Sequence, residues 1–263
     1  MDLQQITSRV AAIVEDTGSF IRSEASQFTA KDVETKSINS LVTYVDKQAE
    51  TQLIERLSQV LPEAGFYTEE EITARDSREW TWIIDPLDGT TNFIHGIPFY
   101  SISVGLQHEN DYVMGVVLEI SRRELFSAWS GGGAYLNGKP IQVSKTNKLA
   151  DALIATGFPY HEFSQLETYL ETMSYFMKNT RGLRRIGSAA LDLAYVAAGR
   201  FDAFFEFSLN PWDVAAGIVL IREAGGSVQD FHDTTEYLSG KEVLATNNLL
   251  ALRMANILKQ NFE

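Results

Sequence analysis

The sequence predicts an α+β protein in which mixed sheets carry helices packed between and around them. Three observations predict it. Apolar residues recur at helical spacing in the opening segments, the pattern turns strand-like from residue 80 to about 142, and the second half alternates short strands with helices. Residues 2–26 place Leu3, Ile6, Val10, Ile13, Val14, Phe20 and Ile21 at helical spacing. A second helix is expected over 46–61, with Ala49, Leu53, Ile54, Leu57 and Val60 on one face and Asp46 at its N-terminus. Residues 101–107, 112–120 and 124–129 read as consecutive strands. Gly131-Gly132-Gly133 marks a loop and Asn137-Gly138 a hairpin turn, and the whole of this glycine-rich stretch reads as turns rather than a nucleotide fingerprint.

In the second half, 152–156 is an expected strand and 162–178 an expected helix. A short strand over 183–186 leads into Gly187-Ser188-Ala189-Ala190, the start of another helix. Residues 201–207 read as a strand, and 211–224 as a helix with Pro211 in its first turn. A strand over 243–245 and a helix over 248–259 close the chain. No Pro-, Gly- or Ser-rich linker and no repeat interrupts it. The expectation is one domain over 1–263 with two closely joined halves, about 1–145 and 146–263.

Composition narrows the function. The chain has no cysteine, which excludes disulfides and thiolate metal sites. No apolar run approaches the roughly 18 residues of a membrane span. Met1-Asp2-Leu3-Gln4-Gln5 lacks the basic and apolar stretches of a signal peptide, so a cytoplasmic protein without a membrane role is expected. The net charge of −13 argues against direct nucleic-acid binding, which needs clustered Lys and Arg. It also opposes a phosphorylated ligand, unless carboxylates hold divalent cations that invert the local field.

The segment Trp82-Ile83-Ile84-Asp85-Pro86-Leu87-Asp88-Gly89-Thr90-Thr91-Asn92-Phe93 supplies such carboxylates. An apolar strand ends in two aspartates three residues apart, and carboxylates at the edge of a core need cations. Magnesium is the natural partner, being hard and oxygen-seeking. Pro86 turns the chain out of the strand. The turn leaves the Leu87 carbonyl as a third oxygen ligand, and Gly89 permits a close backbone approach. Thr90 and Thr91 are expected N-caps of a short helix. A bare Asp-x-x-Asp is most often a capping turn, but the strand before it and Gly-Thr-Thr behind it point to metal-assisted phosphate chemistry.

This segment resembles the first signature of the inositol monophosphatase family of magnesium-dependent, lithium-sensitive phosphatases. Pro211-Trp212-Asp213-Val214-Ala215-Ala216-Gly217, followed by Glu223-Ala224-Gly225-Gly226, resembles its second metal motif. The resemblance spans essentially the whole chain and implies a layered αβαβα sandwich, with the first half carrying the metal motif and the second the substrate side and last ligand.

It further implies two or three Mg2+ per subunit. One would be held by Glu69, Asp85 and the Leu87 carbonyl beside the attacking water, and one by Asp85, Asp88 and Asp213 beside the leaving oxygen. A third, weaker ion would lie near Glu69. Within Glu69-Glu70-Glu71, otherwise an ordinary solvated loop, the family pattern takes the first glutamate as ligand and sets Glu70 beside it. Asp46, alone an ordinary helix cap, would pair with Thr90 to orient and deprotonate the water. Asp88, Gly89, Thr90, Thr91, Gly187, Ser188, Ala189, Glu206 and Asp213 would line the substrate, with Lys36 accessory.

The implied reaction is in-line hydrolysis of a phosphomonoester, with inositol-1-phosphate favoured by Thr91-Asn92-Phe93 and Glu206. Fructose-1,6-bisphosphate, adenosine 3′,5′-bisphosphate, NADP and histidinol phosphate are the alternatives. Without cysteine or a Ser/His/Asp arrangement, nothing supports a covalent intermediate. His95, His108, His161 and His232 have no ligand-like spacing. The family implies a homodimer, and a partner role in the transcription machinery is the alternative of a different kind.

Overall fold

The computed structural model describes residues 1–27, 33–37, 40–76, 78–159, 163–232, 234, 236–239 and 241–262, with side chains given from Val42 onward after the first break. The chain opens with α1 (Leu3–Ala25), capped by Asp2, whose carboxylate accepts the Gln5 N–H at 3.0 Å. A two-stranded antiparallel ribbon follows, β1 (Val33–Ser37) and β2 (Ser40–Thr43), and leads directly into α2 (Tyr44–Leu57).

The next strands form the larger sheet in chain order: β3 (Gly65–Thr68), β4 (Trp80–Asp88), β5 (Ser101–His108), β6 (Asp111–Glu119), β7 (Glu124–Trp129), β8 (Gly133–Leu136) and β9 (Lys139–Ile141). Only β3 and β4 pair in parallel; the rest is an antiparallel meander, with a short helix, α3 (Thr90–Ile94), between β4 and β5. The smaller sheet has the order β11 (Gly182–Arg184), β10 (Leu153–Thr156), β12 (Ala203–Phe207), β14 (Glu242–Thr246), β13 (Ser227–Gln229). Its connections supply α4 (Leu166–Asn179), α5 (Ala189–Ala197) and α6 (Pro211–Glu223), and α7 (Ala251–Phe262) closes the chain.

Side-chain alternation assigns the layers. Trp82 and Ile84 of β4 pack with α1 and α2, while Ile83 packs with α5 and α6. Phe204 of β12 joins that same inter-sheet core, and its neighbour Phe205 joins α4 and α7 on the far side. The order is therefore α1/α2, large sheet, α5/α6, small sheet, α4/α7: the αβαβα sandwich. Strands covered on both faces read as continuous apolar runs, as in Trp82-Ile83-Ile84. The middle helices approach the sheet closely. A Cβ at Gly115 would lie 2.3 Å from the Ala216 carbonyl oxygen, and one at Gly105 would lie 2.8 Å from the Ala215 Cβ.

Several elements differ from expectation. The second helix starts two residues earlier and ends at Leu57, where the next three residues form turns. Residues 133–136, read as turns, form β8, and Asn137 (φ 49°) with Gly138 (φ 74°) make the tight hairpin to β9. The expected helix from 162 starts at Leu166, and residue 162 lies outside the described residues, as does His161. The ribbon β1–β2 and strands β3 and β13 were not anticipated. No helix among the described residues is long and apolar enough to cross a membrane.

Candidate active site

Asp85 and Asp88 are three residues apart on β4, and on a regular strand an odd spacing sends side chains to opposite faces. The register breaks between them. Asp85 pairs with Ser103 and Asp88 with Ser101, so three residues of β4 span two of β5. This one-residue bulge, at Pro86 with its missing N–H, cancels the parity and turns both carboxylates to the inter-sheet side. The Leu87 N–H donates to Asp85 Oδ1 at 2.9 Å and fixes the turn.

Two inter-sheet helices begin at this point. In α6, Asp213 is the third residue, and its Oδ2 accepts the Asn210 N–H at 2.7 Å, where the helix dipole also favours the charge. Oxygens of Asp85, Asp88 and Asp213 all lie within 4.8 Å of one another. In α5, Ser188 is the N-cap; its hydroxyl donates to Asp88 Oδ2 at 2.6 Å, and the Ala190 N–H donates to the same oxygen at 2.8 Å. Gly187 (φ 90°) permits the approach, because a Cβ there would meet an Arg185 nitrogen at 2.5 Å.

Electrostatics follow from this crowding. Burial raises the Asp85 carboxyl well above the ordinary range, with Glu69, Asp88 and Asp213 adding repulsion. Burial pushes Asp88 up to about 6, against the stabilising hydrogen bonds from Ser188, Ala190 and Ala189. Burial and Asp88 push Asp213 up to about 7. Three crowded, all-oxygen donors that hold protons reluctantly shed are a site for a hard divalent cation, and this donor set fits Mg2+. Glu69 lies outside the tight triad but is hydrogen-bonded to Asp85 through its side chain, and its N–H donates to the Ile84 carbonyl at 3.2 Å.

The second group lies across Leu87. Thr90 Oγ1 is 3.0 Å from Asp46 Oδ1 and 3.0 Å from the Leu87 carbonyl oxygen, so one hydroxyl proton has two acceptors. With the proton on the Asp46 side, the Leu87 carbonyl oxygen keeps its lone pairs available to a cation. Thr90 and Thr91 are not caps: Gly89 (φ 95°) is the N-cap of α3 and the threonines are its first two residues. Asp46 is not a cap either. Thr43 caps α2, and Asp46, the third helical residue, completes a capping box by accepting the Thr43 N–H at 2.8 Å and hydroxyl at 2.5 Å through Oδ2. Burial raises the Asp46 carboxyl, opposed by these bonds.

The far wall holds Glu206, at the end of β12 and 5% exposed, tight against Gly157. Sequence reasoning missed its neighbours Asp192 and Arg185, which line the same cleft. Burial, then Glu206 and Asp88, raise Asp192 well above the ordinary range, and its buried Oδ1 has no hydrogen-bond partner. A signal existed: a lone carboxylate inside the buried run Ala190-Leu191-Asp192-Leu193-Ala194. Burial and Asp213 likewise raise Glu206. Among the described lining residues, Arg185 is the one cation facing six carboxyl groups, Glu69, Asp85, Asp88, Asp192, Glu206 and Asp213. Gly89, Thr91, Gly187, Ser188 and Ala189 also line the cleft. The Lys36 side chain lies outside the described residues. His95 and His232 are exposed, and His108 stacks on Trp80 at 3.9 Å, all apart from the cleft.

A five-layer sandwich whose two middle helices deliver their N-termini to a carboxylate cleft defines the class: the sugar and inositol phosphatases. Known proteins agree. A sequence model of the inositol monophosphatase family matches residues 2–261. Nus factor SuhB of Pseudomonas aeruginosa is 39% identical over 250 residues, covering 93% of this chain and 92% of that protein. Inositol-1-monophosphatase of Rhizobium meliloti is 42% identical over 221 residues, 83% of each. The crystal structure of extragenic suppressor protein suhB from Bartonella henselae superposes with a TM-score of 0.90 at 36% identity, covering 98% of this chain and 99% of that one. The chain belongs to the inositol monophosphatase family and is a phosphatase.

Proposed function

We propose that the protein hydrolyses the phosphomonoester of a small polyol or sugar, inositol-1-phosphate foremost, with Mg2+ held by Asp85, Asp88, Asp213, Glu69 and the Leu87 carbonyl. The observation that carries this reading is the carboxylate triad set directly across Leu87 from the Asp46–Thr90 pair. When bound, the metal neutralises phosphate charge and makes water a better nucleophile. The chain's own residues do the rest. With the Thr90 proton directed to Asp46 Oδ1, the Thr90 oxygen has a lone pair to accept a hydrogen bond from the attacking water. Ser188, Ala189 and Ala190 hold Asp88 at the phosphate end. Glu206 and Asp192 face the alcohol part of the substrate, where a hydroxyl group supplies the hydrogen bond that Asp192 Oδ1 lacks. Direct attack by water needs no side-chain nucleophile.

Phosphate release from inositol-1-phosphate, fructose-1,6-bisphosphate, adenosine 3′,5′-bisphosphate, NADP and histidinol phosphate tests the proposal, each with Mg2+, chelator and Li+. The expected result is Mg2+-dependent, Li+-inhibited release, fastest on inositol-1-phosphate. A different fastest substrate moves the assignment to another branch of the family. A homodimer is part of the same reading, and light scattering should give a mass near twice the 29.4 kDa of the chain. The likeness to a protein named Nus factor SuhB supports a second role, as a partner of the transcription machinery. An Asp85→Asn variant that still captures that machinery would separate the two roles.

A further inference from the structure

We infer that Glu50 is a positioning residue that holds the Glu69 loop in place, so that one face of α2 sets both the Thr90 pair and the Glu69 carboxyl. The inference rests on the reading of Glu69 as a magnesium ligand.

Glu50 lies four residues after Asp46 on α2, a spacing that puts both side chains on the same helix face. It has 0% exposure and, among the described residues, no cation as a hydrogen-bond partner. Its carboxyl accepts three hydrogen bonds instead. Oε1 takes the Thr68 hydroxyl at 2.8 Å and the Ile72 N–H at 2.9 Å, and Oε2 takes the Glu70 N–H at 2.9 Å. The donors bracket Glu69 on both sides. The Glu69 N–H is bonded the other way, to the carbonyl of Ile84, the residue before Asp85. The loop is thus fastened alternately: 68, 70 and 72 to α2, and 69 to β4. Alternate fastening leaves the Glu69 side chain one direction, towards Asp85, with which it shares a hydrogen bond.

A fully buried carboxyl costs stability unless every lone pair it turns inward is used. Two backbone N–H groups of the loop and the Thr68 hydroxyl are the partners that use them here. The same helix face, one turn earlier, holds Thr90 through Asp46. Any tilt of α2 would therefore displace the two groups together, and a local loss at Glu50 would displace Glu69 alone.

Glu50→Gln tests this with little change in volume. An amide has one accepting oxygen, so at least one of the three donors must face an NH2 group. Mg2+ binding measured by titration calorimetry on the intact protein should weaken about 10- to 100-fold, the usual loss when a group supporting a metal ligand is changed. The Mg2+ concentration for half-maximal phosphate release should rise in parallel, while kcat at saturating Mg2+ recovers towards that of the parent. Adding Glu50→Gln to Glu69→Gln should weaken Mg2+ binding no further. Parent-like Mg2+ binding in Glu50→Gln, with only a lower Tm, would overturn the inference and leave Glu50 a fold-stabilising group. If Glu50→Gln does not fold, Thr68→Val removes one of the three bonds and decides on the same titration. Glu69→Gln separates the two readings: if it binds Mg2+ like the parent, the ligand assignment itself fails; if it weakens binding and Glu50→Gln does not, only the positioning role fails.

Discussion

Asp85 shows how one residue can be a stability liability and the centre of a site. It is buried among like charges from Glu69, Asp88 and Asp213. Asp85→Asn removes that repulsion along with a ligand. It should therefore lower kcat by several orders of magnitude while the metal-free protein melts no earlier than the parent in chelator. Near-parent turnover would refute the ligand assignment. The same crowding sets a pH dependence. Asp88 and Asp213 have ordinary values of 3.8 and sit at about 6 and about 7 in the fold, so the folded state binds protons that the unfolded chain has already lost. Their contribution to stability is complete below the ordinary carboxylate range and is lost as pH rises through about 6 and 7. Metal-free Tm should accordingly fall across that window. Mg2+ competes with the protons, so its affinity should climb over the same window and the fall in Tm should shrink in saturating Mg2+. A Tm in chelator that rises between pH 5 and 8 would contradict the crowding.

Among the elements, α6 joins packing to chemistry, because the helix that fills the space between the sheets also carries Asp213. Its closeness depends on Gly105 and Gly115, paired across β5 and β6 beneath Ala215 and Ala216. Gly115→Ala would place a methyl 2.3 Å from a backbone oxygen and 2.7 Å from a backbone Cα. The helix must move, at a cost of about 1–3 kcal/mol, the usual range for overpacking. Calorimetry should show the lower Tm, and Mg2+ half-saturation should rise because Asp213 moves with the helix. A lower Tm with unchanged Mg2+ dependence would show that the helix start is anchored independently, through Asn210. This dependence was not legible in the sequence, where both glycines sit unmarked inside strand patterns. Long periodic elements were: α1 within a residue at each end, and residues 124–129 without change. The pieces missed are three to five residues long, such as the polar β1 (Val-Glu-Thr-Lys-Ser) and β13 (Ser-Val-Gln), whose pairing partners rather than their own patterns make them strands. Helix starts slipped for a related reason. Caps belong to the turn before the periodic run, so Asp46 drew the assignment that Thr43 holds.

For the whole molecule, the sequence pattern supports only mixed sheets with helices; the five-layer order came from the family resemblance, since which helix lies between the sheets depends on contacts such as Ile83 and Phe204 with α5 and α6. The same divide runs through the site. Asp85, Asp88 and Asp213 stand in motifs, whereas Asp192, Arg185 and Glu50 reach the cleft or its loop only through tertiary approach. Charge is the property that all scales share. The chain carries −13 overall, and among the described residues its cleft sets one arginine against six carboxyl groups. A phosphate should find no site there until divalent cations reverse the local field. Inorganic phosphate in chelator is therefore expected to leave Tm unchanged at constant ionic strength. In saturating Mg2+, phosphate at ten times its Kd should stabilise by about 1.4 kcal/mol, a rise in Tm of about 2–3 °C for a chain of this size. Asp85→Asn should abolish that rise. An equal rise in chelator would instead place phosphate on Arg185 and the α5 N-terminus without metal, and the net field of the cleft would then matter less than its donors.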